Sequence, residues 1–386
     1  MRFDLIVIGG GVVGASVARA ARGHSIALVS GTRPAEPLMP AEGFDARVYA
    51  LSPGSVEFLR ALKVWDCLPR ERLTPVHAMR VHGDAPGAAL EMDAYRVGVP
   101  ELARIVEDSV LLSALWSSLG SQDRLEIFSP AECESIELLD MARVRLADGR
   151  SLEADLLVGA DGADSKVRNG AGIRVSETSY GQAALVANFS CGREHGHTAC
   201  QWFRGGAVLA LLPLPASRLS MVWSVPEAEA ARLQALDPEA LAFEVGAASG
   251  GWAGPLELIS PVKAFPLRRL QAERMVLPHL ALAGDAAHVI HPMAGQGLNL
   301  GLQDARALGA ALADREPVRS AGDHTMLRRY ERERRESILA MATTVHGLQR
   351  LFGSERRALG RLRNLGLNLT DRLPVLKNAL IRHALN

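Results

Sequence analysis

The chain has 386 residues, 48% of them hydrophobic and 22% charged, with 43 Lys+Arg against 43 Asp+Glu. This excludes a disordered chain and a polycationic nucleic-acid binder, and the length allows two sizeable cores. Charge is uneven, however. From His324 to the end the chain carries 13 Arg/Lys and 5 Asp/Glu, which reads either as solvated helix faces or as a surface for anionic lipid or an acidic partner.

The N-terminal segment "FDLIVIGGGVVGASVARAA" is a β-branched run, a glycine cluster and then small helix-forming residues. This is G-x-G-x-x-G between a strand and a helix, the context that gives the motif its meaning. Gly9 permits the tight turn, Gly11 lets a pyrophosphate approach the backbone, and Gly14 lets helix and strand pack closely. The helix N-terminus then offers free N–H groups to phosphates. Glycines and an Asp interrupt the apolar run, so it does not read as a signal peptide, and a cytoplasmic protein is expected. The second strand, "SIALVS", ends at Ser30, where such units commonly place a carboxylate for the adenosine ribose. Glu36 lies nearby in sequence, after Pro34.

Further along, Asp45-x-Arg47 precedes a helix that Ser55 is expected to cap or start. Arg47 is either a phosphate partner or a surface loop residue. "ARVRLADGRSLEA" reads as a hairpin turning at Asp148-Gly149. The strand after that turn ends in Asp161-Gly162, with Ser165 and Arg168 following. Asp161 is thus on the rim where open α/β sheets bind ligands, or is a helix cap.

From about 181 to 268 the texture is antiparallel: "ALVANFSC", "ACQWFRGGAVLALLPLP" and "RLSMVWSVP". Trp202, Trp223 and Trp252 fall here, as the wall of an apolar substrate pocket or as core filling. The four cysteines, Cys67, Cys133, Cys191 and Cys200, have no metal-type or redox spacing, so no metal is expected and the thiols read as structural. The stretch "LALAGDAAHVIHPMAGQGLNLGLQDA" ends a strand at Gly284-Asp285 and starts a helix near Gly297. His288 and His291 in its loop read mainly as structural hydrogen-bonders. In the C-terminal helix, Glu331 with Arg335 and Arg329 with Glu333 form i,i+4 pairs. The tail "LPVLKNALIRHALN" alternates apolar and basic faces, suited either to a bilayer surface or to plain packing.

Three segments, GGGVVG at 9–14, GADGADSKVR at 159–168 and AGDAAHVIHPMAGQGLNLGLQDA at 283–305, together resemble the FAD-dependent aromatic hydroxylases, the group A flavoprotein monooxygenases. Within them the sequence is most similar to the ubiquinone-biosynthesis hydroxylases, the UbiH/UbiF group. "DARVYALSPGSVEFLRALKVW", "ARIVEDSVLLSALW", "LRRYERERR" and "LRNLGLNLTDRLPVLKNALIRHAL" extend the resemblance over nearly the whole chain.

The resemblance implies an α/β (α+β) fold: a Rossmann-like FAD-binding domain, an inserted mostly antiparallel β-sheet substrate domain, and C-terminal helices. The FAD-binding parts would be 1–75, 101–180 and 269–323, the substrate parts 76–100 and 181–268, and the C-terminal region 324–386. It assigns FAD contacts to Gly9, Gly11, Gly14, Ser30, Arg47, Arg104, Asp161, Asp285, Pro292, Gly295, Gln296, Gly297, Leu298 and Asn299. Pro292 would border the reactive edge of the flavin, with His291 beside it as a catalytic candidate. The implied activity uses FAD, NADH or NADPH, and O2 to hydroxylate a polyprenylated phenol in ubiquinone biosynthesis. Peripheral contact with the inner face of a membrane and association with other quinone-biosynthesis proteins are expected, and no nucleic acid. A single dinucleotide fingerprint means that the nicotinamide reductant visits the FAD domain's surface. Two other readings compete: a non-oxygenating flavin reductase or dehydrogenase of an isoprenoid or quinone-like substrate, and a non-catalytic FAD-fold subunit.

Overall fold

The computed structural model describes residues 1–34, 43–83, 89–290, 296–316 and 318–352, with the side chains of 342 and 344–352 excepted. In chain order the elements begin with β1 (Arg2–Ile8), α1 (Val12–Ala20), β2 (Ile26–Val29), β3 (Val48–Leu51), α2 (Pro53–Ala61), β4 (Thr74–Val76), β5 (Ala78–His82) and β6 (Ala89–Asp93). Next come α3 (Ala94–Val97), β7 (Ala103–Glu107), α4 (Asp108–Leu119), β8 (Leu125–Phe128), β9 (Cys133–Leu138), β10 (Ala142–Leu146), β11 (Ser151–Gly159) and α5 (Lys166–Gly170). The second half holds β12 (Val175–Cys191), β13 (Thr198–Arg204), β14 (Ala207–Leu214), β15 (Arg218–Pro226), α6 (Glu227–Gln234), α7 (Pro238–Ala248), β16 (Leu256–Leu258) and β17 (Lys263–Ala272). It closes with β18 (Val276–Leu277), β19 (Leu280–Leu282), β20 (His288–Val289), α8 (Gln296–Ala313) and α9 (His324–Phe352).

Among the described residues, the first sheet is ordered β18-β19-β11-β1-β2-β8, with β10 and β9 continuing from β11. Its centre is parallel: β1 pairs β11 and β2, β2 pairs β8, and β11 pairs β19. Leu5, Ile6 and Val7 of β1 are fully buried, as a parallel strand covered on both faces requires. On one face α1 and α8 pack closely because glycines remove the side chains between them. A Cβ on Gly301 would lie 2.6 Å from Val13 Cγ2, and one on Gly309 2.7 Å from Ala20 Cβ. The expected hairpin is present as β10–β11, with Gly149 at φ +88°.

The second sheet runs β20-β17-β12-β15-β14-β13-β5-β6, with β16 beside β12. It is antiparallel except where β13 meets β5. Trp202 and Trp223 are buried in its core, and Trp252 packs on Trp202 with ring centroids 6.0 Å apart. All three thus contribute to the core cluster of this sheet. A small sheet, β3-β7-β4, completes the described strands.

Helix α9 turns Leu327, Tyr330, Glu331, Arg334 and Ile338 inward, on one face at helical spacing. Tyr330 Oη donates to Leu282 O at 2.8 Å, and Glu331 accepts from Met275 N at 2.8 Å. Glu331, expected to pair with Arg335 on the surface, therefore faces the core and pairs with Arg328 at 3.1 Å. The tail after Phe352 lies outside the described residues. No helix among them is long and apolar enough to cross a membrane.

Candidate active site

The glycine loop follows β1. Gly9 has φ +113°, and a Cβ there would lie 2.2 Å from Ala160 O. A Cβ on Gly14 would lie 1.9 Å from Gly9 O, whereas one on Gly11 would meet nothing within 4 Å. Gly11 is also the N-cap of α1, with no side-chain cap and no acidic residue in the first turn. The helix thus opens with N–H groups toward free space, an arrangement that takes an anion. Gly10 carries a constraint that the motif does not announce. Its Cβ would lie 2.4 Å from Ser30 Oγ and 2.7 Å from Trp116, whose Nε1 donates to Gly10 O at 2.8 Å.

The Asp45-x-Arg47 segment is held from several sides. Asp45 N donates to Glu107 Oε1 at 2.6 Å, and the Asp45 carboxylate accepts from Ser109 N at 2.9 Å, at the start of α4. Asn188 Nδ2 donates to Phe44 O at 3.0 Å and to Asp45 O at 2.8 Å, tying in the second sheet. Glu107 in turn forms a buried bidentate ion pair with Arg72, both contacts at 2.7 Å. Asp45 is thereby structural and Arg47 is left to face outward. Its guanidinium lies 5.4 Å from the centroid of the Tyr49 ring, and Tyr49 Oη donates to Asp108 Oδ1 at 2.7 Å. Burial, then Asp108, pushes the Tyr49 phenol well above its ordinary range, so it stays a neutral donor. Tyr49, with Asp108 and Asp285 behind it, raises the Arg47 pKa against desolvation. Neither Tyr49 nor Asp108 stood out in the sequence. The only signal was that Tyr49 is two residues beyond Arg47, on the same side of an extended chain.

Asp285, far along the chain, joins this cluster from the end of β19. Its side chain is solvent-accessible, and its carboxylate has no protein hydrogen-bond partner among the described residues. Surrounding protein nonetheless desolvates it and raises its pKa, against His288, Arg47 and Arg268. Asp285 is thus an accessible carboxylate that the surrounding protein partly strips of water.

Behind Asp285 is a buried polar network. Asp304, fully buried in α8, accepts from Gly284 N at 2.9 Å and from Arg334 Nε at 2.7 Å, and meets His288 Nε2 at 2.6 Å. Burial alone would push the Asp304 carboxyl up, but His288 and Arg334 hold it below its usual range. His288 is accordingly structural. Asn299 clamps the first turn of α8 to β3 and α2. Its Oδ1 accepts from Ser52 N at 2.9 Å and Ser55 Oγ at 2.8 Å, and its Nδ2 donates to Ala50 O at 2.9 Å. The N-cap of α2 is Ser52, three residues before the expected Ser55, because Pro53 takes the first helical position. Gln296, Gly297 and Leu298 form the half-buried first turn of α8. His291, Pro292, Gly295 and Glu36 lie outside the described residues.

The remaining candidates have local partners. Asp161 accepts from Ser165 Oγ at 2.5 Å and Val167 N at 3.1 Å, so both its oxygens serve the start of α5. Arg168 Nη1 bridges Ala163 O at 2.9 Å and Ala286 O at 3.1 Å, joining this turn to the Asp285 segment. Ser30 is buried, with its hydroxyl donated to Thr32 O at 2.7 Å. Arg104 is paired with Glu101 at 2.5 Å and lines a cavity of about 390 Å³ with Pro53, Val56, Arg60, Pro75 and His77. In the β3–β7 ladder it pairs with Leu51 while Glu107 pairs with Val48, so it sits roughly 10 Å along the strand from the Arg47 end.

Comparison with known proteins follows the same lines. Residues 2–345 match the family described as "FAD binding domain". The chain is 32% identical over 391 residues to 3-demethoxyubiquinol 3-hydroxylase of Escherichia coli K12, covering 99% of this chain and 98% of that protein. It is also 32% identical over 386 residues to ubiquinone hydroxylase UbiL of Rhodospirillum rubrum, covering 99% and 89%. The fold matches the crystal structure of pqsL, a probable FAD-dependent monooxygenase from Pseudomonas aeruginosa. There the TM-score is 0.79 at 24% identity, covering 95% of this chain and 100% of that one.

Proposed function

The chain belongs to the FAD-binding-domain family, among its ubiquinone-biosynthesis hydroxylases, and from that membership we propose that it hydroxylates the phenolic ring of a polyprenylated intermediate of ubiquinone biosynthesis. FAD is its cofactor, O2 its oxidant and NADH or NADPH its reductant. The observation that carries the reading is that Arg47, Tyr49, Asp108 and Asp285, from three distant segments, act on one another's charge, while the Asp285 carboxylate has no protein hydrogen-bond partner among the described residues. Bound FAD would supply the passage of electrons from nicotinamide to O2, which no side chain can perform.

The chain's own residues bind and orient. Gly9, Gly11 and Gly14 keep the backbone clear for the pyrophosphate at the N-terminus of α1. Arg47 presents its planar fork to phosphate oxygens. Asp285 would accept hydrogen bonds from the ribityl hydroxyls. The first turn of α8, Gln296 to Asn299, would offer N–H groups and the positive end of an 18-residue helix to the pyrimidine end of the ring. Residues 1–75, 101–180 and 269–323 would build this site, and 76–100 with 181–268 would supply most of the substrate sheet, which also takes in β20 and the outer ends of β12 and β17. The nicotinamide coenzyme docks transiently on the outer face of the FAD domain. Peripheral contact with the membrane that holds the polyprenyl substrate falls to the basic C-terminal region.

Gly11→Ala is expected to leave the melting curve of the apoprotein unchanged while weakening FAD binding about 10-fold or more. Gly14→Ala should lower stability by about 1–3 kcal/mol as well, since its Cβ lands on the Gly9 carbonyl. Equal stability of the two variants would contradict this division of roles. Activity is tested with purified, FAD-loaded protein, a polyprenylphenol and NAD(P)H. Hydroxylated product should form in air, carrying ¹⁸O from labelled O2, and not anaerobically. Product formed without O2 would identify a non-oxygenating flavoenzyme, and protein that takes up no FAD would identify a non-catalytic subunit.

A further inference from the structure

Ser30 stands where a dinucleotide-binding unit commonly ends its second strand with a carboxylate for the adenosine ribose, and its hydroxyl is already committed to Thr32 O. The end of β2 is nevertheless next to a carboxylate. Ser30 N donates to Phe128 O at 2.9 Å and Ala131 N donates to Ser30 O at 2.8 Å, so residues 128–131 run beside the end of β2 past the last rung of β8. Residue 31 is glycine, and a Cβ built on it would have one neighbour within 4 Å, Glu132 Cγ at 3.9 Å. The missing side chain at 31 thus leaves the place beside it to the side chain of Glu132.

The backbone of Glu132 is held by Ala147 N, which donates to its carbonyl at 2.9 Å. One carboxylate oxygen, Oε2, is tethered by Lys166 Nζ at 3.1 Å, at the start of α5. The other oxygen has no protein partner among the described residues, and the side chain is well exposed. The adjoining Cys133 thiol is pushed up to about 11, by burial first and then by the charge of Asp161. Glu132 follows β8 and Lys166 follows β11, the strands on either side of β1 and β2 in the order β11-β1-β2-β8, so the pair links segments that leave the carboxyl ends of those strands.

We propose that Glu132 binds the ribose hydroxyls of the adenosine half of FAD, supplying from the neighbouring strand the carboxylate that β2 lacks. The inference rests on the flavoprotein reading. A carboxylate offers charged oxygens to hydroxyl donors where a serine offers one neutral oxygen, and such charge-assisted bonds are the strong class.

The test titrates apoprotein with FAD and with FMN, which has no adenosine, following flavin fluorescence. Glu132→Ala should raise the Kd for FAD about 10- to 100-fold and leave the Kd for FMN unchanged. The melting curve of the variant apoprotein should match wild type, because the side chain is exposed. FAD bound equally by wild type and E132A overturns this inference alone, as does a loss of FAD and FMN affinity by the same factor. Wild-type protein that takes up no FAD overturns the flavoprotein reading and this inference with it.

Discussion

Replacing Asp304 by alanine is expected to destabilise the apoprotein by about 3–5 kcal/mol, measured by urea unfolding at neutral pH. The carboxylate is fully buried and serves three donors: Gly284 N, His288 and Arg334. Removing it leaves the Arg334 guanidinium, itself about as buried, without its counter-charge, and breaking a buried pair from one side costs far more than the pair contributes. It also detaches α8 and α9 from the turn that presents Asp285. Acid should act in the same direction. The Asp304 carboxyl in the folded chain sits below its ordinary value of 3.8, so its stabilisation is complete above that pH and is lost as pH falls through the lower, native value. Asp304→Asn should lose that acid dependence. A D304A protein within about 1 kcal/mol of wild type would mean that the network carries no net stability.

Asp285→Ala is expected to separate stability from cofactor binding. FAD affinity should fall about 10- to 100-fold, the range for hydrogen bonds to a charged acceptor. The apoprotein should be no less stable, because the carboxylate has no protein hydrogen bond to lose among the described residues. The sign with pH is opposite to that of Asp304. Desolvation raises the folded pKa of Asp285, so ionising it costs stability as pH rises from the ordinary value through the native one. Alanine or asparagine at 285 removes that cost. Parallel titration with FAD and thermal unfolding of both apoproteins checks the pair of expectations. A D285A protein that retains FAD fully takes Asp285 out of the site, and one that unfolds early makes it a structural residue.

Several features were legible because their causes are local. The strand Leu5–Ile8, the turn at Gly9 and the helix from Val12 lie within a dozen residues, and the hairpin at Asp148-Gly149 needs only a residue that tolerates positive φ. The start of α8 at Gln296 likewise follows from a short run of sequence. Where one side chain had two local uses, sequence left the choice open. Asp161 had the chemistry of a ligand and of a cap, and its oxygens are taken by Ser165 and Val167. Glu331 had an ordinary surface pairing, yet the helix face it shares with Leu327 and Arg334 is the one that packs.

The sequence by itself therefore determined the dinucleotide fingerprint, the alternation of a parallel and an antiparallel sheet, and the family. The first two rest on backbone preferences or apolar periods that are written within a few consecutive residues, and the family on the resemblance of motifs spread along the chain. Only the tertiary structure decided which side chains meet: Tyr49 with Asp108, Asn299 with Ser52, Asp304 with His288 and Arg334, and Glu132 with the end of β2. Most of those partners are tens to hundreds of residues apart. Nothing local distinguishes a polar side chain that will be buried with a partner from one that will face water, because the desolvation that makes the difference exists only once the two sheets and their helices have closed around it.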